Sequence, residues 1–117
     1  MAARPVVHFE IHGKDGKKLQ DFYSQLFEWK IDANNPMQYG LVAAGEGGPP
    51  GGVGGGITSS QAPMVTVYVQ VASLSESLKQ AESLGGKTLM EPTDVPGGPT
   101  MAMFADPEGN TIGLIQQ

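Results

Sequence analysis

The 117-residue sequence contains no cysteine. The chain can therefore form neither a disulfide nor a thiolate metal site. Basic residues are also scarce: 7 Lys and Arg stand against 12 Asp and Glu, which gives a formal net charge of −5. The basic patch typical of proteins that bind nucleic acid or an anionic membrane is not expected. No apolar run approaches the ~20 residues of a transmembrane helix, so no membrane association is expected either.

The residues that are present indicate a folded chain. Hydrophobic residues make up 39% and charged residues 16%, a balance typical of globular proteins. The length predicts a single domain over residues 1–117. The opening Met-Ala-Ala-Arg-Pro lacks the apolar core of a signal peptide, so a cytoplasmic location is the expectation.

The first half of the chain predicts a strand, a helix and further strands. Residues 6–12 alternate between apolar and polar side chains, which is typical of a half-buried strand. The polar face of this strand carries His8, Glu10 and His12. Asp15 is placed to cap the following helix, and strands are predicted at residues 29–31 and 37–43. The helix carries an apolar stripe for the core: Leu19, Phe22, Tyr23, Leu26 and Phe27.

Glycines are concentrated in the segment GEGGPPGGVGGGI, residues 45–57. Its first part is predicted as a loop, because Pro49 and Pro50 cannot donate backbone hydrogen bonds. Residues 52–58 are predicted as a strand whose missing side chains let another group approach the backbone. No helix is predicted after this segment and no Lys-Ser/Thr pair ends it, so it is not interpreted as a phosphate-binding loop.

The second half repeats the pattern of the first. Residues 64–71 alternate, with valines on one face and Thr66, Tyr68 and Gln70 on the other. A capping box at residues 73–76 opens a helix that Gly85 and Gly86 end. Strands are predicted at residues 88–90, 100–105 and 111–115, separated by the turns DVPGGP and DPEGN.

The two halves align at an offset of 58 residues, which places His8 on Thr66 and Asp15 on Ser73. This alignment predicts an α+β fold with two repeats of a strand, a helix and three strands. Repeat one covers about residues 5–58, and repeat two covers about residues 63–117.

Several segments resemble the vicinal oxygen chelate superfamily: VVHFEIHGKDGKKLQDFYSQLFEW, YVQV, SLKQAESLGGK and FADPEGNTIGL. This superfamily includes glyoxalase I, bleomycin- and fosfomycin-resistance proteins, extradiol dioxygenases and methylmalonyl-CoA epimerase. The chain is most similar to its short glyoxalase-like bacterial members. The resemblance implies two βαβββ units whose curved mixed sheets surround a cleft, the glyoxalase/bleomycin-resistance fold. It also implies a homodimer.

The resemblance further implies a divalent metal held by side chains of both repeats. Carried over to this sequence, the ligand positions fall on His8, Thr66 and Gly113. Only His8 is a competent ligand, since a neutral hydroxyl binds metal poorly and glycine has no side chain. His8 and His12 lie ~13 Å apart along one strand, too far to share an ion unless the strand bends. We therefore expect neither a metal nor another cofactor.

Seven residues are candidates for contact with a small molecule in the cleft: His8, Glu10, His12, Tyr39, Thr66, Tyr68 and Gln70. Glu10 is also a candidate base, because a carboxylate in a desolvated cleft has a raised pKa. The alternative for Glu10 is a pair with a basic side chain across the sheet, for His8 a hydrogen-bonded position in the cleft wall, and for His12 exposure near the strand end. For Tyr39, Tyr68 and Gln70 the alternative is ordinary packing on the sheet surface.

The leading hypothesis is a metal-free protein that binds an apolar or aromatic molecule in the cleft or in a groove of the dimer. The first alternative is a divalent-metal lyase, isomerase or dioxygenase that uses His8 and Glu10. The second is a partner-binding domain without a small ligand.

Overall fold

The computed structural model describes residues 3–43 and 52–116. The predicted order of elements, βαβββ twice, is confirmed. The first repeat contains β1 (Val6–Gly13), α1 (Gly16–Phe27), β2 (Ile31–Asp32), β3 (Gly40–Val42) and β4 (Gly54–Ser59). The second contains β5 (Met64–Val71), α2 (Leu74–Ser83), β6 (Lys87–Asp94), β7 (Thr100–Ala105) and β8 (Thr111–Gln116). Most of the predicted glycine-rich loop lies outside the described residues.

The chain forms two compact units, one over residues 7–65 and one that begins at Thr66 and includes the residues before Val7. In the first unit, β1 pairs in parallel with β4, which continues through antiparallel β3 to β2. In the second, β5 pairs in parallel with β8, which continues through antiparallel β7 to β6. Each unit therefore contains one parallel pair, formed by its first and last strands.

Helix α1 is capped as predicted, since the side chain of Asp15 accepts a hydrogen bond from the backbone of Lys18. One of its contacts with the sheet is polar. The amide of Gln20, which is buried, donates to the carbonyl of Ile57 on β4 at 2.9 Å. A Cβ at Gly40 would overlap the side chain of Gln20, so this glycine lets the amide approach the sheet.

The prediction that the whole apolar stripe of α1 is buried is wrong. Phe22, Leu26 and Phe27 keep 55%, 57% and 52% of their surface exposed. The helix instead turns Gly16 and Gln20 toward the sheet, because both make hydrogen bonds to β4. An aromatic cluster still forms, in which the ring of Trp29 lies 5.6 Å from that of Tyr23 and 5.4 Å from that of Phe9.

The second unit has a conventional apolar core. Ser73 caps α2 by accepting from the backbone of Glu76, as predicted. The helix then packs its buried leucines against β5, β7 and β8, in a cluster of Val71, Leu74, Leu78, Ala102 and Leu114. Burial of such side chains contributes roughly 1.5–3 kcal/mol each.

Strand β6 is longer than the predicted residues 88–90. It runs from Lys87 to Asp94 and includes Pro92, with irregular register near Met90 and Thr93. Proline is tolerated there because β6 has a described partner on one side only, so the missing N–H removes no pairing on the other.

The DPEGN turn between β7 and β8 is organised by the carboxylate of Asp106. This group accepts from the side chain and backbone of Asn110 and from the backbone of Glu108. These hydrogen bonds, that from the Asn110 side chain above all, lower the pKa of Asp106. The turn thus fixes where β8 begins.

Candidate functional site

A buried carboxylate lies at the centre of the polar face of β1. Glu10 is only 8% exposed, and its neighbour on the parallel strand β4 is Gly56. A desolvated carboxylate needs hydrogen-bond donors, because burying it unpaired is very costly. The donors come from a flanking residue of its own strand and from the segment that precedes β3.

Tyr39 reaches Glu10 across the bare backbone of Gly56. A Cβ at Gly56 would overlap the phenol ring of Tyr39, so only glycine lets the ring lie there. Asn35 holds the backbone of Tyr39: its side chain accepts from the N–H at 2.9 Å and donates to the carbonyl at 2.7 Å. The predicted close approach to the glycine-rich strand is thus made by a side chain of the same unit.

The hydrogen bonds of this network have a defined direction. The hydroxyl of Tyr39 donates to Oε2 of Glu10 at 2.7 Å. Since that hydroxyl has one hydrogen, it accepts from Nε2 of His8, which lies 2.8 Å away. On the other side, Nε2 of His12 lies 2.6 Å from Oε1 of Glu10 and donates to it, because a carboxylate can only accept. We call these four residues the Glu10 network.

His8 occupies one end of the Glu10 network and is half-buried. Burial lowers its pKa, and the nearby charge of Glu10 offsets this only in part. A neutral imidazole at this end agrees with its role as a donor to Tyr39 through Nε2.

His12 occupies the other end. Its Nδ1 is buried and has no hydrogen-bond partner among the described residues. One partner of Glu10 is thus a histidine two positions away on its own strand. Sequence alternation predicts the shared face of His8, Glu10 and His12, but not that Tyr39 and Asn35 complete it.

The candidates of the second unit are packed into its sheet. Thr66 and Tyr68 are each 3% exposed, while Gln70 is half-buried. The hydroxyl of Thr66 donates to the carbonyl of Thr111 at 2.6 Å. The ring of Tyr68 covers Gly113, where a Cβ would overlap it.

These residues do not fit the metal that the superfamily implies. Thr66 has committed its hydroxyl to a carbonyl, and Gly113 is covered by an aromatic ring. His8 directs Nε2 at Tyr39, whose phenol lies between it and Glu10. Within residues 3–43 and 52–116, no three His, Asp or Glu side chains form a group that could hold an ion.

Comparison with known proteins identifies the family. The family model for the glyoxalase-like domain matches residues 8–115. The chain belongs to this family. Neither described helix is long and apolar enough to cross a membrane.

Solved structures share the glyoxalase-like fold at low sequence identity. A glyoxalase/bleomycin resistance protein/dioxygenase superfamily member from Vibrio splendidus has a TM-score of 0.67 at 14% identity, over 98% of this chain and 100% of that one. Methylmalonyl-CoA epimerase from Mycobacterium tuberculosis has a TM-score of 0.68 at 13% identity, over 99% and 91%. The Mn(II)-bound glyoxalase from Novosphingobium aromaticivorans has a TM-score of 0.64 at 17% identity, over 97% and 40%.

The chain is also similar to part of a protein that is named as an ATPase. ATPase GET3 of Podospora anserina is 34% identical over 97 residues, 81% of this chain, but the chain spans only 28% of that protein's length. The glyoxalase-like chain does contain Gly86-Lys87-Thr88. In this triplet Gly86 precedes β6, and Lys87 and Thr88 are its first residues, whereas a phosphate-binding loop joins a strand to the start of a helix. Because the chain matches only part of that protein, the ATPase activity in its name is not carried over to this chain.

We predict that Gly113→Ala destabilises the protein by about 1–3 kcal/mol, because the new methyl overlaps the ring of Tyr68. Urea denaturation measures the change in free energy of unfolding. In a Tyr68→Ala background the same substitution should cost much less, because the ring is gone. An equal cost in both backgrounds would show that the ring does not require glycine.

We also predict that His8 titrates below its ordinary pKa of 6.5, because burial disfavours its charged form. A neutral His8 then contributes stability above pH 6.5 that is lost as pH falls through the lowered pKa. NMR titration of the imidazole C–H signals gives the pKa directly, and a His12→Gln variant assigns the two histidines. A His8 midpoint at or above 6.5 would contradict this reading.

Proposed function

We propose that this glyoxalase-like chain is a metal-independent protein that binds an apolar or aromatic small molecule, with the Glu10 network as the polar part of its site. The observation that carries the proposal is that His8, the one competent side chain among the expected metal-ligand positions, is hydrogen-bonded to Tyr39. His8, Tyr39 and Glu10 form a continuous chain of hydrogen bonds.

The composition of the Glu10 network supports recognition of an organic molecule. It combines a phenol ring and two imidazoles with a small number of fixed polar atoms. Pockets for small organic ligands typically have this mixture, in which rings supply contact area and polar groups set orientation. Because Asn35 and Gly56 hold Tyr39 in place, little side-chain entropy is lost when a ligand binds.

The packing of two residues in the second unit supports the proposal that the protein needs no metal. The two positions that would have to supply further ligands, Thr66 and Gly113, are occupied by a carbonyl contact and by an aromatic ring. A divalent ion would have to break the bond from Thr66 and would gain only a neutral hydroxyl. The metal-dependent lyase, isomerase or dioxygenase remains the rival that experiment must separate from this proposal.

A thermal-shift screen with substituted benzenes, indoles and quinolines, run in EDTA and again with Mn²⁺ or Zn²⁺, tests the proposal. We expect some compounds to raise Tm equally in both conditions; at 100 times Kd the stabilisation is about 2.7 kcal/mol. Tyr39→Phe should reduce the shift, because it removes the hydroxyl that joins His8 to Glu10. Tyr23→Phe is the matched control, since Tyr23 lies in the aromatic cluster with Trp29.

Two outcomes would contradict the proposal. Stabilisation that requires the metal and disappears in His8→Ala would favour the metal-dependent enzyme. No stabilisation by any compound in either condition would favour a partner-binding domain.

A further inference from the structure

Gln20 is a buried side chain of α1 that donates hydrogen bonds to two neighbouring segments. Its amide nitrogen lies 2.9 Å from the carbonyl oxygen of Ile57 on β4 and 3.2 Å from that of Gln38. An amide nitrogen has two hydrogens, so each carbonyl receives one of them. The side chain therefore joins the helix both to the sheet and to the segment that leads into β3.

Gln38 has an unusual backbone conformation. Its φ of 54° lies in the left-handed region, which few residues other than glycine adopt. Such a conformation is unfavourable and persists only where surrounding contacts hold it. Two hydrogen bonds hold Gln38: its N–H donates to the carbonyl of Asn35 at 3.0 Å, and its own carbonyl accepts from the amide of Gln20. The first bond lies within the turn, whereas the second comes from the helix.

The residue that follows Gln38 is Tyr39, which belongs to the Glu10 network. Its hydroxyl lies 2.7 Å from Oε2 of Glu10 and 2.8 Å from Nε2 of His8. A displacement of about 1 Å away from either group breaks that hydrogen bond. The backbone of Gln38 determines where the phenol side chain begins, so the position of the hydroxyl depends on the conformation of Gln38.

Gly40, on the other side of Tyr39, makes room for the same amide. A Cβ at Gly40 would lie 2.7 Å from the amide nitrogen of Gln20, closer than real Cβ contacts. Both neighbours of Tyr39 in the sequence are thus adapted to Gln20, one through its carbonyl and the other through its missing side chain.

We propose that Gln20 is a positioning residue for the binding site: by holding Gln38 in the left-handed conformation, it places the hydroxyl of Tyr39 between His8 and Glu10. The inference rests on the proposed function, because the Glu10 network is the polar part of the proposed site. It adds a residue of α1, a helix that carries none of the four residues of the network. Gln20 acts through Tyr39 and does not itself contact the ligand.

A double-mutant cycle between Gln20 and Tyr39 tests this assignment without any ligand. Tyr39→Phe should lower the folding equilibrium constant of the wild type by about 10-fold, the effect of losing a hydrogen bond to a buried charged group. Gln20→Met removes both donors and keeps a side chain of similar length. In that background Tyr39→Phe should cost less than about 3-fold, because the hydroxyl is no longer held at Glu10. Urea denaturation of the four proteins gives the equilibrium constants.

Gln25→Met is the matched control, because Gln25 is an exposed glutamine of the same helix. Tyr39→Phe should keep its full cost of about 10-fold in this background. If Gln20 only stabilised the contact between helix and sheet, Gln20→Met would destabilise the protein but would leave the cost of Tyr39→Phe unchanged. That result would overturn the inference.

Gln38→Gly tests the link through the backbone. Glycine adopts the left-handed conformation without steric cost, so it has less need of the bond from Gln20. Gln20→Met should therefore cost about 5-fold less in a Gln38→Gly background than in the wild type. The same double variant is used if Gln20→Met alone does not fold. An equal cost in both backgrounds, or a double variant that does not fold either, would contradict the inference.

The thermal-shift screen separates this inference from the proposed function. For each benzene, indole or quinoline that stabilises the wild type, Gln20→Met should reduce the shift in Tm as much as Tyr39→Phe does, whereas Gln25→Met should leave it unchanged. A full shift in Gln20→Met would overturn the inference and leave small-molecule binding intact. If no compound binds and the cycle still shows coupling, Gln20 positions Tyr39 and the proposed function is the part that fails.

Discussion

The arrangement of polar side chains in the first unit depends on the hydrogen bonds that stabilise the buried carboxylate of Glu10. Glu10 is 8% exposed, and at that burial an ionised group is tolerated only when its oxygens accept hydrogen bonds. Tyr39 supplies one such bond and His12 supplies another, at 2.7 and 2.6 Å. The hydrogen bond to the carboxylate fixes the orientation of each donor side chain. The orientation of both imidazoles, and with it the chemistry that this face offers, follows from satisfying one carboxylate.

Glycine makes this arrangement possible, and each unit uses it in the same way. Gly56 is next to Glu10 across the parallel pair of the first unit, and Gly113 is next to Tyr68 across that of the second. In each case a tyrosine ring lies over the glycine. Gly113 is also one of the positions where the superfamily resemblance implies a metal ligand. The glycine there supplies no ligand atom and leaves room for the ring of Tyr68.

Strict period-2 alternation predicted β1 and β5, and cap residues predicted the start of both helices, because these signals are local. The sequence also predicted that the glycine-rich strand would admit a close neighbour. The sequence did not predict that this neighbour is Tyr39. The ring of Tyr39 lies over Gly56 because the side chain of Asn35 hydrogen-bonds to the backbone of Tyr39. The burial of α1 was mispredicted for a similar reason: Gln20, which is not part of the apolar stripe, is buried and donates to the carbonyls of Ile57 and Gln38. Both depend on contacts between residues distant in sequence.

The hydrogen bond between Tyr39 and Glu10 is the central claim, and a double-mutant cycle measures it most directly. Free energies of unfolding are compared for the wild type, Tyr39→Phe, Glu10→Gln and the double variant. The account predicts a coupling energy of about 1.5–3 kcal/mol, as expected for a hydrogen bond to a buried charged group. Additive costs, with no coupling between the two substitutions, would contradict it.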